Sequence, residues 1–187
     1  MRHINSTIRS FIMMIVPIVI LSACSSAPKS SNGQELGLPE GQSQKVTVYM
    51  IKPGDNGKLG HLLSSTCPDS IMPVEVKTES PYISRDPSAS ILMSLVAIKK
   101  LKADTYAAQG LANPLAKSSL QDPEIELSKD TYIIRLKGTF TVESACDAAR
   151  QRAQIEETLR RAVGTHSFII DFNGSGPQGW AKAFEVK

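Results

Sequence analysis

The sequence Glu124-Ile-Glu-Leu-Ser-Lys-Asp-Thr-Tyr-Ile-Ile-Arg-Leu-Lys137 decides the fold class of this chain. Its two halves, residues 124–127 and 132–137, are rich in apolar and β-branched residues, as strands are. The polar residues 128–130 between them are typical of a tight turn. The pattern predicts a β-hairpin, and therefore a sheet with antiparallel pairing.

Upstream of the hairpin, the pattern predicts two strands and a helix. Residues 45–51 are β-branched and half alternating, and residues 73–77 place Val74 and Val76 on one face. Asp86 before Pro87 is typical of an N-cap followed by proline at the first helical position. The apolar residues that we expect on the core-facing side of this helix are Ile91, Leu92, Leu95, Val96, Ile98 and Leu101.

Downstream, residues 144–163 predict a second helix, with Ser144 as its N-cap and Gly164 as its C-cap. Its predicted inner face consists of Ala148, Arg152, Ile155, Leu159 and Ala162. Residues 167–172 predict a buried strand, and residues 180–186 a last strand after a glycine-rich loop. The order β-β-α-β-β-α-β-β predicts an α+β fold in which two helices pack on one face of a mostly antiparallel sheet.

The N-terminus predicts a bacterial lipoprotein signal peptide. Arg2 and Arg9 precede an uncharged apolar run over residues 11–21, and Leu21-Ser22-Ala23-Cys24 has the form of a lipobox. A chance cysteine after an ordinary secretory signal is the alternative. In the lipoproteins that this pattern resembles, Cys24 is acylated, and a serine at the next position, here Ser25, accompanies delivery to an outer membrane facing the periplasm. In a cell with one membrane, the outer face of the cytoplasmic membrane is expected.

Composition divides the chain into three parts. Residues 1–23 are the predicted signal peptide, residues 24–44 a polar tether with a reach of roughly 25 Å, and residues 45–187 one globular domain. Removal of the signal lowers the net charge from +3 to +1. The remaining Lys and Arg residues form no cluster, so we expect no nucleic-acid partner.

Two cysteines remain after Cys24, and their pairing has two interpretations. In an oxidising compartment, Cys67 and Cys146 are expected to form a disulfide. Alternatively they join His61 and His166 as zinc ligands, but their spacing is wider than that of structural zinc sites. The disulfide is therefore the prediction, with no metal and no cofactor.

No motif in the sequence predicts catalysis. The chain has neither a G-x-S-x-G elbow nor a His-Glu-x-x-His pair, and Gly174-Ser-Gly-Pro-Gln-Gly179 lacks the following helix that a dinucleotide fingerprint needs. His166, Asp171 and a serine supply the residue types of a catalytic triad, but no sequence motif connects them. Trp180 either closes a core or stacks on a sugar ring, and with Asn173 and Gly174 it forms the predicted ligand-binding loop.

Residues 45–174 together resemble the GerMN domain of envelope lipoproteins from sporulation, germination and related systems. The resemblance lies in the opening strand Val46-Thr-Val-Tyr-Met50, the helix over 89–101, the hairpin Ile125-Glu-Leu127 with Tyr132-Ile-Ile-Arg-Leu136, the long second helix, and the closing strand Phe168-Ile-Ile-Asp-Phe-Asn-Gly174. The stretch 106–121 and the two cysteines depart from the family pattern. The resemblance implies a noncatalytic module that binds a partner or a wall component.

The sequence therefore predicts a membrane-anchored, extracytoplasmic binding module that docks an envelope protein or peptidoglycan. One alternative is a structural lipoprotein subunit of a secretion or transport machine. An enzyme with an unrecognised site is the other. Residues 106–120 and 173–180 are the loops where we expect a docking surface.

Overall fold

The computed structural model describes residues 43–79 and 86–185. Its first sheet contains both strands predicted from the upstream sequence. β1 (Ser43–Lys52) pairs antiparallel with β3 (Ser70–Glu79) along its whole length, and the short β2 (His61–Leu62) pairs with the other edge of β3. Alternation along β1 buries Val46, Val48 and Met50, as its sequence pattern predicts.

The predicted hairpin is confirmed and continues beyond its predicted ends. β5 (Glu124–Ser128) and β6 (Thr131–Leu136) pair antiparallel around a turn in which Lys129 has a φ of 57°. The arms continue into a second ribbon, formed by β4 (Ser119–Leu120) and β7 (Gly138–Thr139). The break between the two ribbons lies at Lys137 on one arm and at residues 121–123 on the other.

The third sheet has the order β5-β6-β8 and contains the parallel pair of the fold. β8 (Ser167–Phe172) lies parallel to β6, with Ile170 opposite Ile134. A parallel pair needs a long crossover, which the second helix provides. Among the described residues the pairing is thus mostly antiparallel, and the α+β fold class is confirmed, although three sheets replace the single predicted sheet.

α1 (Pro87–Lys100) begins as predicted, because Asp86 Oδ1 accepts a hydrogen bond from Ser88 N at 2.9 Å. Its inner face is broader than predicted. Its buried residues are Ile91, Met93, Ser94, Leu95, Ala97 and Ile98, whereas Leu92, Val96 and Leu101 of the predicted face are only half-buried. The cause is that α1 packs against β1, β5 and the second helix at once, so that more than one side of it is covered.

α2 (Ala145–Val163) has the predicted cap, with Asp147 N donating to Ser144 Oγ at 3.1 Å. Three predicted face residues, Ala148, Ile155 and Leu159, are buried, but Arg152 is exposed. Polar residues take its place on the inner face: Gln151, Gln154 and Thr158. Thr158 has a specific partner on the edge strand β1, since Tyr49 N donates to Thr158 Oγ1 at 3.0 Å.

The predicted last strand over residues 180–186 is wrong in the part that the structure describes. α3 (Gly176–Lys182) occupies this region, with Pro177 in its first turn. Asp171 Oδ1 accepts a hydrogen bond from Gly176 N at 2.7 Å and fixes the start of the helix. Helical spacing brings Trp180 and Phe184 together, with ring centroids 4.7 Å apart.

Candidate functional site

Cys67 and Cys146 form a disulfide, as predicted. It joins the N-terminal turn of α2 to the long connection between β1 and β3. We call residues 53–69 of this connection the clamped loop. Among the described residues, no group of three or more His, Cys, Asp or Glu side chains could hold a metal ion. His61 and His166 therefore do not form the alternative zinc site with the two cysteines.

An ion pair beside the disulfide is a second, non-covalent constraint on the clamped loop, which no sequence pattern indicated. Arg150 Nε donates to Asp69 Oδ2 at 2.7 Å, and Gly54 N donates to Asp69 Oδ1 at 2.8 Å. Burial of Asp69 by itself raises the pKa of the carboxyl, but the Arg150 hydrogen bond and the Gly54 N–H outweigh it and leave the pKa below its ordinary value. Asp69 therefore ties both ends of the clamped loop to α2.

Asp55 fixes the middle of the clamped loop. Its Oδ2 accepts hydrogen bonds from Ser70 Oγ at 2.6 Å and from Leu59 N at 2.7 Å, which lower the pKa of the carboxyl. Gly60 lies so close to β3 that an added Cβ would be 2.4 Å from Ile71 O. The conformation of the loop near its tip is thus set by specific contacts.

The tip of the clamped loop exposes apolar side chains. Leu59 is 63% exposed and Leu62 is 47% exposed. Lys58 and His61 are exposed beside them. The sequence analysis considered His61 only as a zinc ligand and did not select the leucines. The signal for them was the apolar succession Leu59-Gly-His-Leu-Leu63 soon after a turn cluster.

Trp180, the first of the predicted ligand-binding residues, is buried. Only 6% of it is exposed, and its ring lies 5.8 Å from Phe140 and 6.3 Å from Phe172, centroid to centroid. Its Nε1 donates to Glu156 Oε1 at 2.9 Å. This environment favours the core alternative over stacking on a sugar.

Asn173 and Gly174 lie on the surface, but the side chain of Asn173 already has two partners. Asn173 Oδ1 accepts from Gly138 N at 3.0 Å, and Nδ2 donates to Gly138 O at 3.1 Å. The side-chain amide of Asn173 thus pairs with both backbone groups of Gly138, as the backbone of a neighbouring strand would. A shallow groove of about 600 Å³ lies beside it, which we call the hairpin groove; its lining consists of Ser119, Gln121, Lys137, Gly138, Thr139, Asn173 and Gly174.

The structure does not bring His166 and Asp171 together as members of a catalytic triad. The His166 ring packs edge-on against Tyr132, 5.4 Å between centroids, and its Nδ1 lies 3.3 Å from Val163 O. Asp171 caps α3 at the other end of β8. The two side chains therefore have separate structural partners.

The predicted lipidation site, Cys24, and the predicted signal peptide and tether lie outside the described residues. Within residues 43–79 and 86–185, no helix has both the length and the apolar character that a membrane span requires. Comparison of the chain with protein-family models, with curated proteins and with solved structures gave no match.

Proposed function

We propose that this chain is a lipid-anchored binding module of the bacterial cell envelope, which is attached through Cys24 and docks a protein partner outside the cytoplasm. The observation that carries the proposal is the order of the N-terminal sequence. A charged start, a short apolar run, the lipobox and a polar tether follow one another within 44 residues. The resemblance to GerMN domains supports the same assignment.

The disulfide supports the extracytoplasmic location. Disulfides persist in oxidising compartments and are rare where thiols are kept reduced. Cys67 is 2% exposed and is joined to Cys146 on another element. A disulfide that links two elements and has one buried cysteine is typical of a structural bridge in an exported domain.

A role in binding rather than catalysis is supported by the separate partners of the two acid–base candidates, since His166 packs against Tyr132 and Asp171 caps α3. Trp180 is buried with its Nε1 on Glu156. A protein partner is preferred to a glycan because the tryptophan that would stack on a sugar lies in the core.

Labelling of the full chain with palmitate in a bacterial host tests the proposal. We expect label on the wild type and none on Cys24→Ala, together with a mass two hydrogens below that of the reduced domain. An unlabelled wild type with two free thiols, or turnover measured on an envelope substrate, would contradict the proposal.

The hairpin groove favours peptidoglycan as a second candidate partner. Five of its seven lining residues carry polar side chains, and it is shallow and open, as suits an extended glycan strand. Cosedimentation of the full chain with purified sacculi tests this candidate. Saturable binding that Gln121→Ala weakens and Gln178→Ala leaves unchanged would support it, and no binding would exclude it.

A further inference from the structure

We propose that the tip of the clamped loop is the docking surface of this protein, and that Leu59 and Leu62 insert into an apolar pocket with an acidic rim on a protein partner. The inference rests on the proposed function, since it names the surface by which the anchored module would dock. It extends that function by specifying the chemistry of the partner.

The first argument is exposure. Leu59 is 63% exposed, the largest fraction among the exposed large apolar side chains of the described residues, and Leu62 is only three positions away. The others, Leu127 and Ile169, are single residues on different strands. Scattered apolar residues are ordinary on a surface, whereas neighbouring ones on a loop are typical of an interaction site.

The second argument is rigidity. The clamped loop is held by the disulfide, by the Asp69–Arg150 ion pair and by the hydrogen bonds that Asp55 accepts from Leu59 N and Ser70 Oγ. Asn56 N also donates to Pro68 O at 2.9 Å across the loop. A loop that is ordered before it binds loses less conformational entropy on association, so these constraints favour tight docking by two small anchors.

The third argument is charge. The carboxylates of Asp55 and Asp69 are turned to backbone N–H groups, Ser70 and Arg150. Lys58 is exposed beside the leucines and belongs to no ion pair within the described part of the chain. Its ammonium group is therefore available to pair with a carboxylate at the rim of the partner's pocket.

The fourth argument is position. Ser43, where the predicted tether enters the domain, lies opposite Glu79 at one end of the first sheet, whereas β2 pairs with Ser70 and Ile71 at the other end. Ten residues of strand span roughly 30 Å. The tip therefore lies at the end of the sheet remote from the tether entry, which suits contact with a protein more than contact with the anchoring membrane.

Site-specific photocrosslinking of the full chain in bacterial cells tests the inference. The probe, p-benzoylphenylalanine, replaces Leu59, Leu62, Leu127 or Ile169 one at a time, and the last two serve as exposed controls outside the clamped loop. We expect a discrete protein adduct from positions 59 and 62, stronger than that from positions 127 and 169 by on the order of tenfold. With the probe at position 62, Lys58→Glu is expected to lower the yield on the order of fivefold, and Lys77→Glu to leave it unchanged.

The remaining outcomes overturn the inference in distinguishable ways. Equal adducts at all four positions, or no adduct at 59 and 62, exclude the tip as the docking surface. Adducts only at 127 or 169 do so while the proposed docking function stands. An adduct of lipid mass at 59 and 62 replaces the protein partner with a membrane surface. Loss of palmitate from the wild type contradicts the proposed function independently of these adducts.

Discussion

Among single residues, the polar side chains on the inner face of α2 determine how this helix meets its neighbours. Gln151 accepts from Ser118 Oγ at 3.0 Å and donates to Thr141 O at 2.6 Å. Gln154 Nε2 lies 3.5 Å from Met50 Sδ, a weak acceptor, and Gln154 Oε1 is buried with no hydrogen-bond partner among the described residues. The two glutamines are equally buried but differ in how well they are satisfied.

This difference gives a prediction for the pair. Gln154→Met removes an unsatisfied buried oxygen at similar volume, so we expect the free energy of unfolding to rise by about 1 kcal/mol. Gln151→Met is the matched control and should lower it by a similar amount, because Ser118 and Thr141 lose a partner. Urea denaturation of the wild type and both variants measures these changes. A loss of stability in Gln154→Met would contradict the expectation.

Asp69 gives a prediction about pH. Its pKa is lowered in the folded protein, so its ion pair stabilises the protein above the ordinary aspartate pKa, and this contribution is lost as the pH falls through the lowered value. We expect Asp69→Asn to cost about 2 kcal/mol at pH 7 and to flatten the decline of stability between about pH 5 and pH 2.

Thermal denaturation across this pH range provides the measurement. Glu75→Gln is the control, because Glu75 also has a lowered pKa but pairs with Lys45 at an exposed site, where an ion pair stabilises little. Equal pH profiles for wild type and Asp69→Asn would show that Asp69 does not stabilise the fold by its charge.

At the scale of elements, the second ribbon depends on the backbone position at which β7 begins. Gly138 has a φ of 142°, and an added Cβ would collide with Ser119 O on the paired strand β4. β4 and β7 therefore pair at a residue where a side chain has no space. Asn173 bonds both backbone groups of Gly138 and joins the start of β7 to the end of β8.

We expect Gly138→Ala to lower the free energy of unfolding by about 3 kcal/mol or more, since the two strands must separate to admit a methyl group. Gly174→Ala is the matched control: its φ of 74° is also positive, but nothing lies within 4 Å of the added Cβ. It should cost about 1 kcal/mol. Chemical denaturation compares the two, and similar losses would indicate that conformation alone, and not the contact with Ser119, limits position 138.

At the scale of the whole molecule, the disulfide connects residues that are 79 positions apart. Closing a loop of this length lowers the entropy of the unfolded chain. In the chain-entropy model we expect Cys67→Ser/Cys146→Ser to lower the free energy of unfolding by about 4 kcal/mol. Guanidinium denaturation with and without a dithiol reductant measures it. The wild type should lose stability on reduction, whereas the double variant should not respond; an unresponsive wild type would contradict the prediction.

Particular residues show how far sequence reasoning reaches in this chain. Asp86, Pro87, Ser144 and Gly164 predicted both long helices, because capping is chemistry between residues a few positions apart. The failure at residues 180–186 had a signal, Pro177 with Trp180 and Phe184 at helical spacing, that a strand reading of the aromatic residues obscured. The parallel pairing of β8 with β6 had no local signal, since pairing partners are chosen by the packing of the whole domain.

The sequence by itself determined the order of the main elements, the caps of the helices and the pairing of Cys67 with Cys146, because these follow from local periodicity, capping and the small number of cysteines. Only the tertiary structure decided that Trp180 lies in the core, that Asn173 bonds Gly138, and that the clamped loop is tied to α2. These outcomes depend on residues such as Asp69 and Arg150, 81 positions apart. No local pattern reports such pairs, because burial and electrostatics act between atoms that are neighbours only in the folded chain.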